Sequence, residues 1–224
     1  MQLSRWMKQA GISVTMVTPS MADIITQTPE DIVLDRLRCV FLVGERLTAR
    51  LVTDLRGLAP QTTVVNLFGC TESQRAVSYH MIPGGNESTF EPDSPNDVLP
   101  LGRGMVDVQL LVLNQSMQLA GVGEIGDIYI RSPHLARGYL NDEQQTRAAF
   151  LINPFTGQVD DRAYKTGDLG RYLPDGNVAY VERSDFQVKI RGFRIEIPEI
   201  ELTLMQHSQV QHAVVLAHEH EQCR

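Results

Sequence analysis

Cysteine is scarce in this chain, and the three present, Cys39, Cys70 and Cys223, follow neither the spacing of a zinc site nor that of a disulfide framework. A reducing compartment, the cytoplasm, is the expectation. Long apolar runs are missing too: none approaches the roughly 20 residues of a membrane span. Positive charge is in deficit, with 20 Lys and Arg against 27 Asp and Glu and a formal net charge of −7. That balance argues against a nucleic-acid partner, while leaving room for a local basic site. The N-terminus lacks a signal peptide's charged and apolar regions, because Met1–Gly11 alternates polar and apolar residues like an amphipathic helix. Internal repeats and low-complexity tracts are absent.

The 224 residues suffice for one full domain and part of another, and 42% hydrophobic residues supply a substantial core. Leu3, Trp6, Met7 and Ala10 share a helical face that stops at Gly11. Ile12–Val17, Arg38–Val43 and Thr62–Phe68 read as buried strands, with helices opening at Pro19 and Thr48 between them. This alternation predicts a parallel sheet covered by helices. From Ala76 onward the chain becomes β-rich: Ala76–Ile82, Val106–Leu113 and Glu124–Ile130 read as strands, and Pro83–Pro100 as a loop. Asp142–Phe150 reads as a helix, and Pro174-Asp175-Gly176 as a hairpin turn. A boundary falls at Glu182–Asp185, followed by a strand over Phe186–Ile195, a helix begun by Pro198 and a last strand at Val210–Leu216. The fold class is α/β: a sheet-and-helix subdomain and a β-rich subdomain over residues 1–182, then the start of a small α+β unit over residues 183–224.

Two motifs are set aside. Gly121–Gly126 spells G-x-G-x-x-G, but a strand pattern follows where a dinucleotide site needs a helix N-terminus, so it reads as a glycine-rich hairpin. His218-Glu219-His220 lacks a third ligand at sensible spacing and reads as a solvated tail rather than a metal pair.

Three polar clusters sit where strands end. Asn66–Glu72 delivers a glycine turn, a hydroxyl and a carboxylate, which suits phosphate and its Mg²⁺ at a sheet's carboxyl edge; a glycine turn with a Thr/Glu helix cap accounts for it equally. Tyr164–Asp168 ends in an Asp able to accept both hydroxyls of a ribose, or to close an Asx turn. Arg183–Gly192 places Lys189 and Arg191 on one strand face with Arg183 close by, a face for phosphate or for solvent.

Together these stretches resemble the adenylate-forming superfamily, which includes the adenylation domains of peptide synthetases. The matching blocks are VGERL, NLFGCTE, GEIGDIYIRSPHLARGYLND, YKTGDLGRYLPDG and RSDFQVKIRGFRIEIPEIE. Within it, TESQRAVSYHMIP, SRWMKQAGISVTMVTPSM and NPFTG are similar to the aminoadipate reductase family of fungal lysine biosynthesis. The resemblance implies ATP-dependent activation of a carboxylic or amino acid, with L-2-aminoadipate the best match, as an acyl-AMP. The acyl group then passes to a phosphopantetheine thiol on a carrier domain in cis and is reduced with NADPH in a further module of the parent protein. Another acid, or a non-catalytic relic that binds nucleotide or a partner, is the alternative.

By position, the resemblance implies that Gly44, Glu45, Asn66, Phe68 and Gly69 line an adenine slot, that Asp168 binds the ribose, and that Tyr180 and Arg183 face the nucleotide. Thr71 would contact phosphate, Glu72 would partner Mg²⁺, and Lys189 and Gly192 would belong to a segment presented after rotation about a hinge at Asp185. Val17, Phe41, Val43, Leu67, Arg75 and Ala76 would line the acyl pocket. A buried Arg75 would need an anionic partner, which the side-chain carboxylate of aminoadipate supplies; a surface Arg on an edge strand is the other reading. The family's Ser/Thr/Gly-rich phosphate loop and its late Lys have no counterpart in these residues, Pro198 replaces a usual Gly, and Cys70 stands where Pro, Thr or Ser is frequent. The chain is therefore expected to be a fragment, inactive by itself.

Overall fold

A computed structural model of the chain describes residues 3–27, 32–84, 94–185, 187–207 and 209–217. Phe186, Cys223, His218–His220 and part of the Pro83–Pro100 loop, all considered above, lie outside the described residues.

Helix α1 (Leu3–Ala10) ends at Gly11, whose φ of 65° suits the left-handed end of a helix. Its buried side is centred on Ser4 and Met7, not on the expected Leu3–Trp6–Met7–Ala10 face; Trp6 is exposed on the flank. Strand β1 (Val14–Val17), helix α2 (Pro19–Thr26), strand β2 (Cys39–Val43), helix α3 (Ala49–Leu58) and strand β3 (Thr63–Gly69) follow. Thr18 caps α2 by accepting from the Met21 amide at 3.3 Å, and Pro19 opens the first turn. Thr48 occupies the corresponding position at α3 but its side chain caps nothing; the Ala49 and Arg50 amides donate instead to the Asp97 and Pro95 carbonyls.

Strands β1, β2 and β3 are parallel, joined by the two helical crossovers, and β4 (Ala76–Ile82) and β5 (Arg103–Gly104) extend the sheet antiparallel in the order β1-β2-β3-β4-β5. Alternation along the strands splits the sheet into two faces. Val40, Leu42 and Val64 point into a core shared with Ala22, Leu51 and Leu55 of the helices. The other face carries a row across four strands, Met16, Phe41, Val65 and Met81. At its two ends Met16 and Met81 are 66% and 55% exposed.

The second sheet is antiparallel and runs β10-β9-β7-β6, with β8 on β9. Its strands are β6 (Gln109–Leu113), β7 (Gly126–Arg131), β8 (Phe150–Ile152), β9 (Arg162–Tyr172) and β10 (Val178–Arg183); α4 (Glu143–Ala149) precedes β8 and is capped by Asp142. Its core includes Val112, Ile128, Ile130 and Phe150. The Gly121–Gly126 stretch links β6 to β7, as its strand-like flank predicts, and the Glu124 carboxylate closes it by accepting from the Gly121 amide at 2.7 Å.

Two elements differ from the reading of the sequence. The expected single strand over Phe186–Ile195 is a hairpin, β11 (Gln187–Ile190) and β12 (Phe193–Glu196), which turns at Arg191-Gly192 with φ of 52° and 79°. Lys189 therefore sits opposite Arg194 and shares no strand face with Arg191. Pro198 lies in the first turn of α5 (Ile197–Met205) as expected, but Val210–Leu216 forms no strand, since no described strand pairs with it; Val215 donates its amide to Glu201 at 2.9 Å instead.

The NPFTG segment is built around Asp161. Its carboxylate accepts from Arg131 Nε at 2.7 Å, from Asn153 Nδ2 at 2.9 Å and from Thr156 Oγ1 at 2.9 Å. The Arg131 hydrogen bond outweighs burial and, with Thr156 and Asn153, holds the carboxyl below its ordinary range. A lowered folded value means that this stabilisation is complete above the unfolded value and is lost as pH falls through the lowered one. Asp161→Ala should cost about 1–3 kcal/mol at neutral pH, read by urea unfolding, and the difference from wild type should shrink at acid pH. A difference constant with pH would show that the carboxylate's charge is not what holds the loop.

Candidate functional site

The carboxyl ends of β2 and β3, the edge where open α/β sheets bind ligands, face the end of β10 and the middle of β9, where Tyr164–Asp168 lie within the strand rather than at its end as expected. The β11–β12 hairpin crosses the gap. Two adjoining cavities result, of about 350 and 440 Å³. Gly44, Glu45, Asn66, Phe68, Gly69 and Asp168 all line the first, joined by Tyr180 and Arg183. Val43, Thr71, Arg75 and Ala76 line the second, and Lys189 lines both.

Asp168 is 5% exposed, at the bend that Gly167 makes with φ of 77°. Thr166 Oγ1 accepts from the Asp168 amide at 3.0 Å and donates to Ile128 O at 2.9 Å, so the bend is tied to the β7 strand. Arg183 Nη1 donates to Asp168 Oδ1 at 2.8 Å, leaving Oδ2 without a hydrogen bond among the described residues. Burial raises the Asp168 carboxyl, against the pull of Arg183 and Lys189.

Arg183 is engaged by protein through all three of its nitrogens. Nε and Nη2 grip both oxygens of Asp185 at 2.6 Å, and Nη2 also donates to Gln187 Oε1 at 2.8 Å and Thr166 O at 3.2 Å. It orients Asp168 rather than presenting a free guanidinium to a phosphate. Asp185, the expected hinge, is held in the same cluster by a bidentate pair with Arg183.

Glu72 lies in the 3₁₀ turn Thr71–Ser73 and is 5% exposed. Its Oε1 accepts from Tyr139 Oη at 2.8 Å and from Arg194 Nη1 at 2.5 Å, while its buried Oε2 has no hydrogen-bond partner. Burial works to raise this carboxyl, but the hydrogen bonds from Arg194 and Tyr139 win and hold it at about 2. Glu72 lines neither cavity, and its Oε2 is closed off, so the oxygen a cation would meet is Oε1, which Tyr139 and Arg194 hold. No group of three His, Cys, Asp or Glu gathers among the described residues. A metal here would be of the Mg²⁺ kind, held by one carboxylate and completed by substrate phosphates and water.

Several placements depart from expectation. The Glu45 carboxylate is already engaged: Oε2 accepts from the Ser20 amide at 2.8 Å and hydroxyl at 2.5 Å, and Oε1 from the Gly192 amide at 2.7 Å. Asn66 spends its Nδ2 on the Pro100 carbonyl at 2.8 Å. Val17 stands in register with Leu42 and packs into the helix-side core, on the face opposite to Val43 and away from both cavities. Phe41 shares the Val43 face, two residues earlier, and lines neither cavity. Leu67 lines the first cavity, not the second. Arg75 is exposed, so desolvation does not force an anionic partner on it. Burial pushes the Cys70 thiol up, which leaves it unreactive at neutral pH. Tyr139 and Arg194 went unassigned from sequence, although both lie within matched blocks.

The AMP-binding enzyme family matches residues 1–140, more than half of the 224, and this chain belongs to that family. Among curated proteins it is similar to the L-2-aminoadipate reductase of Schizosaccharomyces pombe, 39% identical over 236 residues that cover 96% of this chain and 17% of that protein. Among solved structures it is similar to NpsA-ThdA, an artificially fused adenylation-PCP di-domain from Klebsiella oxytoca, with 26% identity and a TM-score of 0.80 over 98% of this chain and 42% of that one. It is also similar to the Vibrio cholerae adenylation domain AlmE in complex with glycyl-adenosine-5'-phosphate, with 27% identity and a TM-score of 0.76 over 93% of this chain and 38% of that one. The fold is thus the mixed α/β fold of adenylation domains. The chain spans under a fifth of the length of the reductase.

A Cβ at Gly167 would overlap the Asp185 carboxylate and the Arg183 guanidinium, whereas one at Gly157, with a similar φ of 63°, would meet nothing. Gly167→Ala should therefore destabilise by about 2 kcal/mol more than Gly157→Ala, which carries backbone strain alone. Equal losses in chemical denaturation would mean that the Arg183 cluster yields easily.

Proposed function

We propose that this chain is the part of an ATP-dependent adenylation enzyme that holds nucleotide and acid, with residues 1–182 from the large subdomain and 183–224 the hinge and start of the small one. The observation that carries the reading is the open Oδ2 of Asp168, facing a cavity shaped by Gly44, Phe68, Gly69 and Tyr180. A fixed carboxylate oxygen accepts ribose hydroxyls, and Phe68 and Tyr180 give the base apolar surface. The acid would enter the second cavity, beside Val43, Arg75 and Ala76.

One carboxylate oxygen of the acid attacks the α-phosphorus of ATP, forming the acyl–O–P bond as the bond to pyrophosphate breaks. Such chemistry is promoted by positioning and by neutralising charge. Asp168 fixes the ribose, Thr71 donates to phosphate, and Lys189, between the two cavities and with no ion pair among the described residues, faces the charge that develops. Mg²⁺ held by Glu72 would neutralise the departing phosphates. Transfer to a phosphopantetheine thiol on a carrier domain in cis, and reduction with NADPH, belong to the longer parent; the adenylation-PCP neighbour and the reductase relative support that context.

The favoured acid is L-2-aminoadipate, because the Arg75 guanidinium is unpaired among the described residues and opens on the second cavity, where a side-chain carboxylate would meet it bidentately. The exposure of Arg75 favours, as second reading, activation of another amino acid. Pyrophosphate–ATP exchange on the intact parent should proceed with L-2-aminoadipate and fall about tenfold or more in Arg75→Ala. Exchange with neutral amino acids alone would select the second reading, and no exchange with any acid would leave a nucleotide- or partner-binding relic. In either protein Asp168→Ala should weaken ATP binding about tenfold; unchanged affinity would remove the ribose assignment.

A further inference from the structure

Glu72 already holds a cation. Arg194 reaches it from β12, 122 residues further along the chain, with Nη1 at 2.5 Å from Oε1. The guanidinium is steered by Glu196 of the same strand, whose Oε1 lies 3.6 Å from Nε. One turn away, the tip of the hairpin is fixed a second time, by the Gly192 amide on Glu45 Oε1 at 2.7 Å. The other oxygen of Glu72 is sealed inside the protein, and the whole residue is 5% exposed. While the hairpin is docked, therefore, neither oxygen is open to a metal ion. Two cations on one buried carboxylate would also repel each other strongly at low dielectric.

We infer that Arg194 and a divalent cation are alternative occupants of Glu72, so that docking of the β11–β12 hairpin and metal binding exclude each other. This rests on the reading of Glu72 as the metal partner. A carboxylate this buried is costly without a positive partner, and Arg194 supplies one whenever the metal is gone. The exchange orders events at the site: the metal-loaded arrangement needs the hairpin withdrawn, and the docked hairpin needs the metal released. Arg194 is a positioning residue in this scheme, since it touches Glu72 and not the reacting atoms.

Mn²⁺ alone is the probe, its free concentration read by electron paramagnetic resonance as the full 224-residue chain is titrated. Removing a competitor raises apparent affinity by the inverse of the competent fraction, so Arg194→Gln should bind Mn²⁺ about tenfold or more tighter than wild type. Arg194→Lys, which keeps a cation, should stay near wild type, and Glu72→Gln should lose the site. Trypsin gives a second readout: cleavage after Arg191 should quicken with Mn²⁺ in wild type, and should be fast and indifferent to Mn²⁺ in Glu72→Gln. Equal Mn²⁺ affinity in wild type and Arg194→Gln, lost in Glu72→Gln, would overturn the competition and leave the metal reading intact. Absence of any Glu72-dependent Mn²⁺ binding, in Arg194→Gln as well as wild type, would overturn the metal reading and the competition together.

Discussion

The guanidinium of Arg183 is the point on which the site turns. It is the last residue of β10, and from there it grips Asp168 of β9, the carboxylate of Asp185 beyond the strand, and Gln187 at the start of the hairpin. Four segments are thereby fixed by one planar group. Its five donors match this geometry, which a lysine's point charge would not. The cluster is largely withdrawn from water, with the Arg183 side chain 14% and the Asp168 side chain 8% exposed. Net charge decides why it holds: one cation faces two carboxylates, and Lys189 adds the second positive charge by proximity. A cluster of this kind keeps Asp168 in place for a ligand and ties that placement to where the hairpin lies.

Much of the fold was legible because the signals are local. Strand–helix alternation, the proline at the start of α2 and the glycine bends each act within a few residues. The errors arose where a local pattern changes direction or face within a step or two. Apolar residues alternate at Val188 and Ile190 and again at Phe193 and Ile195, so the period of two slips by one at Arg191-Gly192; that slip marks the turn, where an arginine takes a left-handed φ of 52°. Val17 shows how a single step matters: Met16 faces the open side of the sheet and Val17 the helices. Parity alone moves a side chain from a pocket wall to a core.

The site was legible in composition but not in wiring. Gly44, Asn66, Phe68 and Gly69 line the first cavity together, because strand ends of a parallel sheet converge on one edge. What those residues do with their polar atoms depends on partners distant in sequence. Tyr139 lies 67 residues from Glu72, and Gly192 lies 147 residues from Glu45. No pattern within a strand or turn announces such contacts. The carboxylate of Glu45, read as part of a slot for adenine, is spent on the N-terminus of α2 and on the hairpin tip.

That reassignment has a consequence for how the two halves of the site communicate. The first sheet offers the hairpin two acidic anchors, Glu45 after β2 and Glu72 after β3, and the hairpin answers with a backbone amide and a guanidinium. Neither anchor is a large apolar contact, and the hairpin's own residues are mostly exposed, Phe193 at 73% and Ile190 at 48%. Docking therefore depends on charge and hydrogen bonding rather than on buried area, so it responds to ions and anionic ligands in the cavities below. A phosphate entering the second cavity would attract the cations Arg194 and Lys189 away from their present surroundings, and a metal would repel them. The hairpin's position and the contents of the cavities are in this way a single electrostatic problem, with Glu72 as the group that both sides must share.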